Sequence, residues 1–134
     1  MFEFFINKII KSFRNVQKRS CDYLVSKQKV DGGWGETFAS CDTCEYTESE
    51  VSQAVQTSWA LMALMAARYP DRDVIDRGIK CLISQQDLKG HWEMQGITGV
   101  FNKSCAIDYP NYQNIFPLWC LGRYNTMYGN KDFE

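Results

Sequence analysis

The chain contains RSCDYLVSKQKVDGGW at residues 19–34 and RGIKCLISQQDLKGHW at residues 77–92, two stretches that follow one template. Arg, Leu, Ser, Gln, Gly and Trp recur at matching positions, and the copies lie 58 residues apart, from Arg19 to Arg77. Self-similarity at a fixed offset is typical of proteins built from consecutive, equivalent structural units. The sequence therefore predicts two copies of one supersecondary unit.

Each copy has the pattern of a helix that ends at a glycine. The apolar residues have helical spacing, and Asp-Gly-Gly or Lys-Gly then breaks the helix. A Gln side chain can hydrogen-bond the backbone freed at a helix end, and a Trp ring can stack on its amide. We predict a structural clasp in each copy, formed by Gln28, Gly32 and Trp34 and by Gln86, Gly90 and Trp92.

Further helices are predicted between and after the copies. Thr47-Glu48-Ser49-Glu50 has the form of a capping box, which would open an apolar helix that runs to Ala67 and is stopped by Pro70. A last helix is predicted from about Asn111 to Tyr128. Little strand alternation is present. The expected fold class is all-α, with helix pairs in series as in part of an α/α barrel or toroid.

The N-terminal stretch MFEFFINKIIKSFRNV, residues 1–16, has the pattern of an amphipathic helix. It lacks the run of about 18 apolar residues that a membrane span needs. Two interpretations remain open: the helix lies flat on a membrane surface, or it packs on a partner or on the rest of the fold.

Composition and motifs exclude several function classes. The chain has 134 residues, which fits one domain but is well short of the roughly 250 residues of a complete helical barrel around a substrate. A net charge of −1 gives no basic excess for nucleic acid.

Six cysteines without a signal peptide favour reduced thiols. The chain has one histidine, His91, and no second cysteine pair at metal spacing follows Cys41-x-x-Cys44, so no metal site is expected. His91 is expected to be an exposed or capping residue.

The two copies resemble the QW motif of squalene and oxidosqualene cyclases, from which Ser20 and Cys81 depart. More specific are GVFNKSCAIDY at residues 99–109 and YQNIFPLWCLGRY at residues 112–124, which are similar to the C-terminal signature of oxidosqualene cyclases. DGGWGE at residues 31–36 resembles the block that precedes this C-terminal signature in the same enzymes. The resemblance covers residues 17–128. It implies that residues 17–134 are the C-terminal part of a cyclase α/α barrel, and that the amphipathic segment 1–16 lies outside it.

The resemblance also implies an activity. The implied activity is that of an isomerase that cyclises (S)-2,3-oxidosqualene in sterol synthesis and needs no cofactor. The implied location is peripheral, at the endoplasmic reticulum membrane or lipid droplets. The Ser49-x-x-x-Gln53 spacing looks more like lanosterol synthases than cycloartenol synthases. Phe101 is implied as an aromatic wall of the substrate cavity, and Tyr109 as a second cavity residue.

No catalytic acid is expected in this chain. In the family the initiating acid lies in an Asp-Cys-Thr-Ala-Glu motif upstream of the region resembled here. The stretch Cys41-Asp42-Thr43-Cys44-Glu45 has a different residue order and follows the first clasp, where Asp42 is predicted to be a surface acid. The chain alone is therefore expected to be inactive.

Two alternatives from other classes remain. One is a non-catalytic helical module that binds a lipid or a partner protein through an apolar face. The other is a prenyltransferase-like barrel, which needs a zinc ligand set of Asp, Cys and His that the sequence does not show.

Overall fold

The computed structural model describes the backbone of residues 2–101 and 105–129, and the side chains of residues 12–99 and 105–129. This part of the chain forms helices α1 (Phe2–Ser26), α2 (Ala39–Thr43), α3 (Ala54–Ala66), α4 (Arg72–Ser84) and α5 (Tyr112–Tyr128). A short antiparallel hairpin, β1 (Gly99–Phe101) and β2 (Cys105–Ile107), pairs Gly99 with Ile107. The all-α prediction is confirmed.

The predicted capping box is wrong. Helix α3 begins at Ala54, after an extended Gln53 with φ −106° and ψ 129°. Residues 47–49 pair instead with the chain that follows the first clasp: the Thr37 amide donates to the Thr47 carbonyl at 2.9 Å, and the Ser49 amide to the Gly35 carbonyl at 3.0 Å. Because that backbone is held extended, it cannot also form a first helical turn.

Other helix boundaries follow the sequence more closely. Helix α3 ends at Ala66, where Arg68 adopts a left-handed φ of 52° ahead of Pro70. Asp71 caps α4, since its carboxylate accepts from the Asp73 amide at 3.0 Å. The last helix agrees with its predicted span. Helix α1 is continuous, so residues 16 and 17 lie within one helix.

Helix α3 lies at the centre and packs against both α4 and α5. The fully buried side chains include Leu61, Leu64, Met65, Ile75, Leu82 and Cys120. Each buried leucine stabilises the fold by about 1.5–3 kcal/mol. Gly78 allows the close approach of α4, because a β-carbon there would lie 2.7 Å from Leu61 Cδ2 and 2.9 Å from Trp34 Cζ3.

A polar cluster joins α4 to α5. Arg72 Nε donates to Asp76 Oδ1 at 2.6 Å, the Tyr124 hydroxyl donates to the same oxygen at 2.7 Å, and the Arg72 guanidinium lies 4.1 Å from the Tyr128 ring centroid. Burial alone would raise the pKa of Asp76. The hydrogen bonds from Arg72 and Tyr124 outweigh burial, and the pKa of Asp76 is lowered from its ordinary value.

The two repeat tryptophans occupy equivalent positions. Trp34 and Trp92 are both buried, and their indole N–H groups donate to the carbonyls of Leu24 at 2.7 Å and Leu82 at 2.8 Å. Both carbonyls lie in the last turn of a helix, where the helical hydrogen-bond ladder ends. The sequence interpretation assigned this contact to the glutamine, whereas the structure assigns it to the indole.

The glutamines instead hold the loops that follow the helices. Gln28 Nε2 donates to the Gly32 carbonyl and Gln86 Nε2 to the Gly90 carbonyl, each at 2.8 Å. Gly32 and Gly90 have φ of 91° and 85°, a left-handed conformation that a β-carbon disfavours. The clasp geometry is therefore the same in both copies.

The copies are also joined to each other through Gln28. Its Nε2 donates a second bond to the Val74 carbonyl in α4 at 2.9 Å, and its Oε1 accepts from Arg77 Nη2 at 2.5 Å. Arg77 is the first residue of the second copy. The basic residue of one repeat thus contacts the glutamine of the previous repeat, which connects the units in series.

Candidate functional site

An apolar cleft of about 460 Å³ opens between the end of α1, the chain after the first clasp and one side of α3. Small residues of α3, Ala60 and Ala63, form part of its floor. Its walls carry five aromatic side chains, those of Tyr23, Trp34, Phe38, Tyr46 and Trp59. A concave, mainly apolar site with several aromatic walls is suited to a hydrocarbon ligand.

The aromatic faces at one end of the cleft already contact a cation. Lys27 Nζ lies 4.2 Å from the Tyr46 ring centroid and 5.5 Å from that of Tyr23. The Tyr46 hydroxyl donates to the Gly35 carbonyl at 3.2 Å. Burial, and then the nearby carboxylates, chiefly Glu48, raise the pKa of Tyr46. The phenol therefore stays neutral and acts as a donor at physiological pH.

An aromatic cluster links the cleft to α5. We define this cluster as Trp59, Tyr109, Tyr112 and Phe116. Trp59 meets Phe116 edge to face at 5.2 Å and 79°, and meets Tyr112 at 6.1 Å and 71°. Tyr112 also meets Phe116 edge to face and stacks on Tyr109 at 4.7 Å and 21°. These edge-to-face and stacked contacts constrain the orientations of the rings.

Of the two predicted cavity residues, the structure describes the side chain of Tyr109 but not that of Phe101. Tyr109 belongs to the aromatic cluster, is 37% exposed, and borders a small polar pocket of about 10 Å³. The backbone of Phe101 ends β1, but its side chain lies outside the described residues. Ile97 and Thr98, which immediately precede β1, line the cleft. The hairpin that carries Phe101 therefore starts at the cleft rim.

A pair of glutamines holds this rim against α3. Gln53 Nε2 donates to the Gln95 carbonyl at 2.9 Å, and Gln95 Oε1 accepts from the Ala54 amide at 2.6 Å. Gln95 thereby provides the acceptor that the first turn of α3 lacks locally. Sequence analysis missed Gln95, because a cap supplied from 41 residues away leaves no local signal.

Of the residues considered for other chemistry, Cys41 lines the cleft, whereas Asp42 and His91 do not. Asp42 is exposed in α2, which confirms its prediction as a surface acid, and His91 is exposed in the second clasp. The His91 amide donates to Asp87 Oδ1 at 2.8 Å. Within the described residues, no group of three or more His, Cys, Asp or Glu side chains is arranged to hold a metal ion.

Trp59 is the main cleft residue that sequence analysis did not single out. Helix α3 is apolar on almost every side, so its periodicity does not show which side chain faces a cavity. The available signal was size, since Trp59 is the largest residue in a helix of mostly smaller side chains.

Comparison with known proteins identifies the family. The profile of the squalene-hopene cyclase C-terminal domain matches residues 7–126. The chain is 52% identical over 110 residues to the lanosterol synthase of Homo sapiens and 50% identical over 111 residues to that of Saccharomyces cerevisiae. These alignments cover 82% and 83% of this chain.

A cycloartenol synthase of Dictyostelium discoideum is 56% identical over 94 residues, which is 70% of this chain and 13% of that protein. The chain spans about 15% of the length of the two lanosterol synthases. The resemblance inferred from the QW motifs and the C-terminal signature is confirmed: the chain belongs to the squalene-hopene cyclase C-terminal domain family.

Proposed function

We propose that the chain forms the C-terminal part of an oxidosqualene cyclase of the lanosterol synthase type. In this proposal it supplies one wall of the cavity in which (S)-2,3-oxidosqualene is cyclised to lanosterol. The observation that carries it is the aromatic cleft, whose rim leads directly into the hairpin of Phe101. The similarity to lanosterol synthases over 82% of the chain supports the substrate class.

The chemistry of cyclisation fits an aromatic wall. Opening an epoxide and closing four rings passes positive charge along a hydrocarbon chain, and water would end the sequence early by adding to a cation. Aromatic faces attract cationic charge through the ring quadrupole and offer no nucleophile. An apolar enclosure also excludes water. Phe101 and Tyr109 are proposed to face the cationic centres, with the aromatic cluster holding Tyr109 in place.

The initiating proton is proposed to come from another part of the enzyme. The sequence has no Asp-Cys-Thr-Ala-Glu stretch, and Asp42 in the nearest similar stretch is exposed to solvent and does not line the cleft. The role of this chain is therefore lining and support. By the same similarity we propose a peripheral location at the endoplasmic reticulum membrane or lipid droplets.

A chimera tests the proposal. Residues 7–126 would replace the matching segment of Saccharomyces cerevisiae lanosterol synthase in cells that lack their own enzyme. We expect the chimera to form lanosterol, and the same cyclase truncated before the segment to form none. A folded chimera without cyclised product would contradict the proposal. Cycloartenol as the main product would favour the alternative branch of the family.

The isolated chain provides the second half of the test. Incubated with oxidosqualene, residues 1–134 should give no lanosterol, because the acid is absent. Cyclised product from this chain alone would refute the account of the missing acid.

A further inference from the structure

Helix α2 carries two cysteines three residues apart, and the proposed cyclase function uses neither. Cys41 is half-buried and lines the cleft beside Phe38. Cys44 is exposed, and its left-handed backbone, with φ 58° and ψ 22°, ends the helix. The pair therefore connects the wall of the cleft to the outer surface of the chain.

The backbone places the two α-carbons at a separation that a disulfide can span. That separation is set by the dihedral angles of Asp42 and Thr43, the two helical residues between the cysteines. Three helical steps of about 1.5 Å on a cylinder of radius about 2.3 Å place the α-carbons about 5 Å apart. Bridged cysteines have α-carbons about 4.4–6.8 Å apart. The spacing of the pair is therefore compatible with a bridge.

Local hydrogen bonds hold α2 in this geometry. The Thr43 hydroxyl donates to the Ala39 carbonyl at 3.1 Å, within the helix. The Ser40 hydroxyl accepts from the Thr47 amide at 2.8 Å, which ties the helix to the extended segment that follows it. Because the two thiols are held on one short turn, each meets the other at an effective concentration of at least about 1 mM.

The charges beside the pair favour an uncharged oxidant. Asp42 and Glu45 are the sequence neighbours of the two thiols, and both are exposed. Their carboxylates repel an anionic oxidant such as glutathione disulfide. Hydrogen peroxide carries no charge and is small enough to approach the exposed thiol.

We propose that Cys41 and Cys44 form a reversible modification site, at which hydrogen peroxide converts the dithiol to a disulfide. The Cys44 thiolate attacks one oxygen of the peroxide, the O–O bond breaks, and the leaving hydroxide takes the thiol proton to become water. The product is a sulfenic acid on Cys44. The Cys41 thiol then attacks the sulfenic sulfur, the S–S bond forms, and a second water leaves.

The electrons balance in this sequence, because the two sulfurs together lose two electrons and the peroxide gains them. A thiol reductant such as dithiothreitol reverses the step. Because Cys41 lines the cleft, bridging alters one side chain of the cleft wall. The inference goes beyond the proposed cyclase function and does not depend on it.

Mass spectrometry of the full chain after peroxide treatment tests the proposal. Trypsin leaves both cysteines on one peptide, residues 30–68. We expect this peptide to lose two hydrogen atoms, both of its thiols to become resistant to iodoacetamide together, and dithiothreitol to restore them. With the chain at about 10 µM, the internal bridge should exceed disulfide-linked dimers about 100-fold, the ratio of about 1 mM to 10 µM.

Three single variants assign the roles of the thiols. Cys44→Ser should abolish the bridge, and Cys41→Ser should leave a sulfenic acid on Cys44 that dimedone traps. Cys105 is also exposed but lies in β2, so Cys105→Ser is the matched control and should leave the yield of the bridge unchanged.

Other outcomes would overturn the proposal. These are full alkylation of both thiols after peroxide treatment, oxidation of Cys44 with Cys41 still alkylated in full, and a dimer linked through Cys44 as the main product. A yield that falls equally in Cys105→Ser would have the same meaning. None of these readouts measures cyclised product, so this proposal and the proposed cyclase function fail separately.

Discussion

Gln28 and Gln86 occupy the same place in the repeat template, but the structure predicts that only Gln28 is important for stability. Both side chains are half-buried, but the Gln28 amide bonds the Gly32 and Val74 carbonyls and the Arg77 guanidinium. The clasp bond of Gln86 goes to the Gly90 carbonyl and is exposed to solvent. The perturbation is truncation of each glutamine to alanine.

The magnitudes follow from the number of hydrogen bonds lost and from the charge of the partner. A hydrogen bond to a charged group contributes about 1.5–3 kcal/mol, and a neutral bond about 0.5–1.5 kcal/mol. We discount the sum for partial exposure and expect Gln28→Ala to cost about 2–3 kcal/mol. Gln86→Ala removes one neutral bond that is exposed to solvent, so it should cost about 0.5 kcal/mol, the low end for a neutral hydrogen bond. Gln28→Glu should fall between the two, since it keeps an acceptor for Arg77 and loses both donated bonds.

Urea unfolding of the full chain measures the difference. With a slope of about 1.5 kcal/mol/M, Gln28→Ala should lower the unfolding midpoint by more than about 1 M, and Gln86→Ala by less than about 0.4 M. Thermal inactivation of the chimera carrying each variant gives the same ranking by an independent readout. Equal losses at the two positions would refute the conclusion that Gln28 connects the repeats while Gln86 holds only its own loop.

Three further predictions concern packing, pH and thiol chemistry. Gly78→Ala should destabilise the chain by about 1–3 kcal/mol because its β-carbon would overlap the core, whereas Gly122→Ala, with open space around it in α5, should stabilise it by about 0.5–1 kcal/mol; equal signs in thermal unfolding would contradict this. Because the pKa of Asp76 is lowered in the fold, its ion pair stabilises the chain at pH values above its ordinary pKa of 3.8, and this contribution is lost as the pH falls through the lowered pKa. The difference in unfolding free energy between the parent and Asp76→Asn should therefore shrink below about pH 3.8. A difference that stays constant with pH would argue against this account. Burial raises the pKa of Cys120 to about 12, so iodoacetamide should modify exposed Cys105 first and Cys120 only on unfolding, as followed by mass spectrometry; early modification of Cys120 would show that α5 opens readily.

The repeat was the most informative feature of the sequence, because a clasp is encoded locally. Gln, Gly and Trp lie within seven residues of each other in both copies, and the left-handed glycine between them is what a helix break requires. The fold class and the last helix were predictable for the same reason: helical periodicity is a local signal.

Contacts between distant segments were not predictable. Thr47 to Glu50 has a valid capping pattern, but pairing with residues 35–37 holds that stretch extended. The capping of α3 by Gln95 and the contact of Trp59 with Phe116 join segments more than 40 residues apart. In the first case tertiary pairing overrides the local pattern, and in the other two it supplies contacts that the local sequence does not encode.

The central claim is that this chain lines the cavity of a cyclase, and a substitution at Phe101 in the chimera tests it most directly. Phe101→Leu removes the aromatic face but keeps an apolar side chain of moderate size, so folding should be little affected. Gas chromatography with mass spectrometry should show a changed mixture of triterpene products, with partially cyclised or rearranged alcohols beside lanosterol, while the amount of folded chimera stays the same. A product profile identical to that of the parent chimera, at equal protein level, would contradict the claim.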